Sequence, residues 1–60
     1  MAEKIYSIAD IMYILGISKG AAYKLIHSGE LKYFRIGRSI RITESALNDY
    51  ILAHSNTEGK

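Results

Sequence analysis

The chain has 60 residues, a formal net charge of +2 and no cysteine. A chain of this length forms one small domain that buries roughly 60% of its unfolded surface, which leaves little room for an enclosed substrate pocket. The lack of cysteine excludes disulfides and thiolate metal sites, and the two histidines, His27 and His54, do not have the spacing of metal ligands.

The first predicted element is a helix that follows a short lead-in over residues 1–6. Ser7 is a suitable N-cap, and Asp10 three residues later forms a weak capping box with it. The apolar residues that follow have the i, i+3, i+4, i+7 spacing of one helix face. They are Ile8, Ile11, Met12 and Leu15. Gly16 ends the helix because glycine readily takes the left-handed conformation.

A second helix is predicted over residues 19–27, between the N-cap candidate Ser18 and the stop at Ser28-Gly29. Its apolar face contains Ala22, Leu25 and Ile26. Its opposite side contains Lys19, Gly20, Tyr23, Lys24 and His27. Only a few residues connect the two helices, so they must cross steeply, as in a helix-turn-helix unit.

Residues 33–42 alternate with period 2 around a glycine-containing turn, the pattern of a β-hairpin. We take residues 37–39 as the turn, with Arg38 at the tip. The expected apolar face consists of Phe34, Ile36, Ile40 and Ile42. Arg35 and Arg41 are expected together on the solvent face. An isolated hairpin is barely stable in water, so this one must pack on the helices.

The last predicted element is a helix that begins after Thr43 and ends near His54. Thr43 is a suitable N-cap, and Glu44 suits the positive end of the helix dipole. The apolar stripe consists of Ala46, Leu47, Tyr50 and Ile51. The expected fold is mainly α with a small β-hairpin: a winged helix-turn-helix domain over residues 1–54, followed by a flexible tail over residues 55–60.

The charge is concentrated in the middle of the chain. Between Lys19 and Arg41 there are six basic residues and one acid, Glu30, a balance of +5; the rest has a balance of −3. This asymmetry indicates a polyanionic partner that meets one face of the molecule. The basic stretch contains both the second helix and the hairpin, which can reach DNA together.

Both elements suit DNA. Side chains near the start of a helix in the major groove reach base edges, and arginines at a tight tip enter the minor groove or bind phosphates. The candidate residues are Lys19, Gly20, Tyr23, Lys24 and His27 in the helix, and Arg35, Gly37, Arg38 and Arg41 with Ser39 in the wing. Alternatively, these residues form a solvated helix face and a charged strand edge that prevents aggregation.

No pattern indicates catalysis. Ser18, Ser28 and Ser39 are explained as caps and turn residues, and no histidine–carboxylate pair is close in sequence. We expect a protein that is not an enzyme and has no cofactor. No stretch approaches the roughly 20 apolar residues of a membrane span, and the start lacks a signal-peptide pattern, so we expect a cytoplasmic location.

The stretch from Ile5 to Ile51 resembles the excisionase-like, MerR-related family of small winged-helix DNA-binding proteins. The matching segments are Leu15-Gly16-Ile17-Ser18-Lys19, Tyr23-Lys24-Leu25-Ile26, Ser28-Gly29-Glu30-Leu31, Arg35-Ile36-Gly37-Arg38, Arg41-Ile42 and Ala46-Leu47 with Tyr50. The resemblance covers about four-fifths of the chain without gaps.

This resemblance implies that the second helix binds the major groove of double-stranded DNA and that the hairpin is the wing. It assigns helix contacts to Ser18, Lys19, Gly20, Tyr23 and Lys24, and wing contacts to Arg35, Arg38 and Arg41. Family members include recombination directionality factors, which implies an integrase or recombinase as a partner, and small transcriptional regulators.

Base readout is expected to be sparse, because the family often has a polar residue where Gly20 and Ala21 stand. Specificity then comes from DNA shape or from cooperative self-association of adjacent protomers on DNA. The alternative function is a protein-interaction module that docks on an acidic partner such as a recombinase or a polymerase subunit. An exposed apolar patch around Tyr6, Tyr13 or Ile14 would favour that alternative.

Overall fold

The structure, a computed structural model, describes residues 3–55. Its elements are β1 (Ile5–Tyr6), α1 (Ile8–Leu15), α2 (Lys19–Ser28), β2 (Phe34–Ile36), β3 (Ser39–Thr43) and α3 (Glu44–His54). The strands form an antiparallel sheet in the order β1-β3-β2. These elements confirm the expected class, a winged helix-turn-helix. The first two residues of the lead-in and residues 56–60 of the expected tail lie outside the described residues.

Each helix begins where a side-chain cap was predicted. The Ser7 hydroxyl accepts a hydrogen bond from the Asp10 amide at 3.2 Å, and the Asp10 carboxylate accepts one from the Ser7 amide at 3.0 Å. Ser18 and Thr43 cap α2 and α3 by accepting bonds from the third amide of each helix, at 3.2 and 3.0 Å. These bonds satisfy amides that a helix start otherwise leaves unpaired.

The buried core draws one or two residues from each helix, one from β3 and one from the loop after α2. Its buried members are Ile11, Ala22, Ile26, Leu31, Ile42 and Leu47. Leu31 is fully buried although no pattern predicted it. It lies between α2 and β2, and its amide donates to the Leu25 carbonyl at 3.3 Å. Since it is a single apolar residue in a polar loop, it has no periodicity to reveal it.

The lead-in contains a strand that the sequence did not predict. In β1, Ile5 pairs with Thr43 and Tyr6 pairs with Ile42. The Lys4 carbonyl also accepts a hydrogen bond from the Glu44 amide at 2.9 Å. A strand of two residues is too short to show an alternating pattern. β1 nevertheless connects residues 4–6 to the start of α3, and it pairs with β3 on the side opposite β2.

The wing has a different register from the one expected. Phe34 pairs with Arg41, Arg35 with Ile40, and Ile36 with Ser39. The turn therefore has two residues, Gly37 and Arg38, instead of three. Gly37 has φ 62°, and among residues 3–55 no residue other than glycine has positive φ, which matches the glycine-first type II′ turn.

This register makes the expected apolar face of the hairpin wrong. A shift of one residue moves every side chain of a strand to the other face. Ile42 is fully buried and Ile40 packs against the core. By contrast, Phe34 and Ile36 are 38% and 59% exposed and share the other side of the sheet with Arg41. We call these two sides the core face (Ile40 and Ile42) and the outer face (Phe34, Ile36 and Arg41).

The arginines of the wing are also divided differently from the expectation. Arg35 lies opposite Ile40 and so belongs to the core face, at its exposed edge, whereas Arg41 belongs to the outer face. They do not share one solvent face. In α3, Ala46, Leu47 and Tyr50 pack in or against the core as expected, while Ile51 is exposed.

Candidate nucleic-acid interface

One side of α2 carries the residues predicted to meet DNA. Gly20, Tyr23, Lys24 and His27 follow the i, i+3, i+4, i+7 spacing that places side chains on one helix face. We call these four residues the α2 stripe. Tyr23 is half-buried and the other three are exposed. The rings of Tyr23 and His27 stack with centroids 6.4 Å apart, so these two members of the stripe are neighbours along the helix.

The start of α2 adds two further predicted residues. Lys19 is exposed in the first turn. Ser18 is exposed, but its hydroxyl oxygen already accepts a hydrogen bond from the Ala21 amide at 3.2 Å. A serine hydroxyl also has a donor proton, so capping and donation to a phosphate are compatible.

The wing presents its arginines at different depths. Arg35 and Arg38 are exposed, and Arg41 is half-buried. The Arg41 Nη1 donates to the Ile40 carbonyl at 2.9 Å, which restrains the guanidinium against its own strand. A guanidinium has five N–H donors, so this bond does not prevent Arg41 from binding a phosphate.

A groove joins the wing to α2 and to the start of α1. Its volume is about 310 Å³. It is lined by Ser7, Ile8, Ala9, Tyr23, Arg38, Ser39, Ile40 and Arg41. We call it the wing groove. Among the residues that the structure describes, the lining contains arginine but no acidic residue. The groove therefore has a positive charge and brings one residue of the α2 stripe together with three predicted wing residues.

The other predicted residues are not brought into this groove. Ser18, Lys19, Gly20, Lys24 and His27 lie elsewhere on α2, Arg35 lies on the core-face side of the wing, and Gly37 forms its turn. The candidate interface is thus an extended surface rather than a closed site. A surface of this kind suits a long polymer better than a small ligand.

Glu30 is the only acid in the sequence between Lys19 and Arg41, the basic middle of the chain, and it does not lie near the start of α2. Glu30 follows the C-terminal end of that helix, where the Ser28 hydroxyl donates to its carboxylate at 3.0 Å. The His54 Nε2 lies 3.8 Å from the same carboxylate, on an exposed surface. Glu30 is thus engaged at the opposite end of α2 from Lys19.

Two flanking acids are also engaged in helix starts. The Glu3 carboxylate accepts a hydrogen bond from the Ser45 amide at 2.6 Å, in the first turn of α3. Hydrogen bonding by the Ser45 side chain, followed by its backbone N–H, lowers the pKa of Glu3 below the ordinary value of 4.5. Asp10 belongs to the capping box of α1. Part of the negative charge therefore serves to hold elements together.

Four residues of the wing groove were not foreseen as part of an interface. Ser7 was assigned as a cap, Ile8 and Ile40 as apolar residues of the core, and Ala9 had no role. Their approach to Tyr23 depends on how α1 crosses α2 and on the wing register. The short connection between the helices predicts a steep crossing but not which side chains of α1 come close to Tyr23, and the wing register has no local signal in the sequence.

Between residues 3 and 55, no helix is long and apolar enough to cross a membrane. In the same range, no three histidine, aspartate or glutamate side chains are grouped as metal ligands.

Comparisons with known proteins agree with this architecture. Two curated Mycobacterium tuberculosis proteins, MT0521 from strain CDC 1551 / Oshkosh and Rv0500A from strain H37Rv, are provisionally named DNA-binding proteins. Each is 33% identical over 48 residues, which cover 80% of this chain and 62% of the relative. The chain thus spans less than two thirds of their length. No solved structure matches the chain. Residues 5–55 match the family model described as a helix-turn-helix domain, and the chain belongs to that family.

Proposed function

We propose that this protein binds double-stranded DNA through α2 and the wing. The observation that carries the proposal is the wing groove, which Tyr23 of α2 lines together with Arg38 and Arg41 of the wing. These residues belong to the stretch with a charge balance of +5. Membership of the helix-turn-helix family and the names of the two relatives support the same function.

In this proposal α2 enters the major groove and the wing lies beside it, on the minor groove or the backbone. Lys19 near the start of α2 bonds guanine acceptors or a phosphate. Gly20 has no side chain and allows the helix backbone to approach the bases closely. Lys24 and His27 contact phosphates, which set affinity and orientation rather than sequence preference.

The finer proposal is an excisionase-type, MerR-related protein, either a recombination directionality factor or a small transcriptional regulator. Because few side chains contact bases in this proposal, sequence specificity comes from DNA shape and from cooperative binding of adjacent protomers. A directionality factor acts together with a recombinase, which is then the protein partner. The exposed Tyr13 and Ile14 of α1 suit contact with another protein. The alternative, a module that docks only on an acidic protein, gains no support from the relatives.

Salt dependence of duplex binding tests the proposal directly. About five phosphate contacts give a slope of roughly −4 to −5 for log K against log salt concentration. Selection of bound sequences from a random duplex pool supplies the preferred site for the titration. A slope near zero on that site contradicts binding through the basic surface. Polyglutamate, titrated in parallel, distinguishes DNA binding from general attraction to acidic polymers.

A circular-permutation gel assay then tests the excisionase role. A directionality factor bends its site, so the mobility of the complex changes with the position of the site in the fragment. Mobility that is independent of position favours a simple regulator. Duplexes with one site and with two adjacent sites test cooperative binding, since independent filling of the two sites contradicts it.

A further inference from the structure

The wing groove has a third side, formed by the start of α1, which has no role in DNA binding through α2 and the wing alone. Tyr23 of α2 forms one side of the groove, and the wing forms the second. The third side consists of Ser7, Ile8 and Ala9 at the start of α1. Ala9 is exposed, and it is a small residue at the second position of the helix. The first turn of α1 is therefore accessible to whatever enters the groove.

We propose that the wing groove holds one sugar-phosphate unit of a DNA strand, with the first turn of α1 as its third wall. This inference rests on the proposed DNA-binding function and adds a backbone-binding site to it. The occupant is a phosphodiester with its deoxyribose, and the wall residues from α1 are new members of the interface.

The lining has the chemistry that such an occupant requires. Arg38 and Arg41 supply charge-assisted hydrogen bonds to phosphate oxygens, and the Tyr23 hydroxyl is a further donor. Ile8 and Ile40 supply apolar surface on which a sugar ring can pack. The volume of about 310 Å³ lies at the lower end of the range for small-ligand pockets. That size suits one backbone unit rather than a base pair.

The charge in this site comes from the wing and not from the helix start. The Asp10 carboxylate accepts a hydrogen bond from the Ser7 amide at 3.0 Å and so already occupies the N-terminal end of α1. A phosphate placed directly on that end meets a negative charge. The first turn of α1 thus contributes shape, and the small side chain of Ala9 keeps the groove open.

A charge placed at Ala9 tests the site. Ala9→Glu puts a carboxylate in the groove, and Ala53→Glu makes the same change at an exposed position of α3 that does not line it. Glutamate near a helix N-terminus is favourable, so Ala9→Glu is expected to fold, and circular dichroism checks this. In fluorescence-anisotropy titrations at low salt, we expect Ala9→Glu to weaken duplex binding about tenfold more than Ala53→Glu.

Ala9→Gln separates charge from size, since it adds similar bulk without a carboxylate. We expect it to weaken binding less than Ala9→Glu. Equal weakening by the two glutamate variants overturns the groove site and leaves DNA binding intact, because a uniform effect reflects only the change in total charge. If the wild-type protein binds no duplex at all, the proposed function fails and the groove site fails with it.

Discussion

Phe34 lies directly opposite Arg41 across the wing, so a partly exposed aromatic ring and a half-buried guanidinium share the outer face of the sheet. Ile36 continues this face beside Ser39, and Ile5 continues it beside Thr43. Alternation along β3 sends Ile42 the other way, into the core. The wing therefore divides its isoleucines between a structural face and a face that is available for contact.

This division predicts different stability costs for one substitution at two positions. Ile42 is fully buried, so Ile42→Val removes a packed methylene and we expect it to lower the free energy of unfolding by about 0.5–1.5 kcal/mol. Ile36 is 59% exposed, and Ile36→Val is expected to stay within about 0.5 kcal/mol of wild type. Urea denaturation followed by circular dichroism measures both values. Equal costs would place Ile36 and Ile42 on the same face of the wing, which contradicts the register set by the two-residue turn.

The wing arginine at the tip is expected to contribute a single phosphate contact. Arg38→Ala should weaken binding to all duplex sequences alike and reduce the steepness of the salt dependence by about one unit. Arg38 is exposed in the turn, so we expect little change in stability. Anisotropy titrations at several salt concentrations, on the preferred site and on an unrelated duplex, measure the slope.

Lys4→Ala is the matched control for this measurement. It also removes one positive charge at an exposed position, but from the segment beside α3, outside the basic middle. We expect its salt dependence to keep the wild-type slope. If Lys4→Ala and Arg38→Ala change the slope equally, total charge governs binding and the wing has no specific contact.

The sequence was sufficient for features that depend on a few neighbouring residues. The three helices begin at Ser7, Ser18 and Thr43 because each cap bonds an amide only three positions away. The register predicted for the wing was wrong, because two-residue and three-residue turns both fit the segment around Gly37. β1 and the burial of Leu31 also depend on tertiary contacts, as does the meeting of Ala9 with Tyr23 in one groove.

Acid should weaken the connection between the start of the chain and α3. Hydrogen bonds from Ser45 lower the pKa of Glu3 in the folded protein. A carboxyl group with a lowered folded pKa adds stability above its unfolded pKa and loses that contribution as the pH falls through the folded value. Ionised Glu3 therefore stabilises the wild type at neutral pH, and this contribution is lost as the pH falls below the ordinary pKa of 4.5. Glu3→Gln lacks the contribution at every pH.

Thermal melts between about pH 7 and pH 3 measure this effect, since pKa differences between the folded and unfolded states appear as pH-dependent stability. We expect the melting temperatures of wild type and Glu3→Gln to converge as the pH falls. Asp49→Asn, which removes an exposed carboxylate from the middle of α3, is the control. A constant difference between wild type and Glu3→Gln across the range would show that the Ser45 hydrogen bonds do not depend on ionised Glu3.

Gly20 is expected to serve binding at a cost to stability. It lies in the first turn of α2 without a positive φ, and a Cβ built there meets no atom within 4 Å apart from its chain neighbours and its own helix backbone. The fold thus has no need of glycine at this position, and glycine inside a helix costs roughly 0.5–1 kcal/mol relative to alanine. Gly20→Ala should therefore raise the free energy of unfolding by up to about 1 kcal/mol.

The same substitution should weaken duplex binding, because the added methyl group stands where the α2 backbone is proposed to approach the bases. Gly16→Ala is the contrasting variant: Gly16 has φ 66°, so alanine there is strained and should lower stability by roughly 1–2 kcal/mol. Urea denaturation and anisotropy titration of both variants separate the two roles of glycine. A Gly20→Ala protein that is more stable and binds its site as tightly as wild type would show that the backbone at this position does not approach DNA.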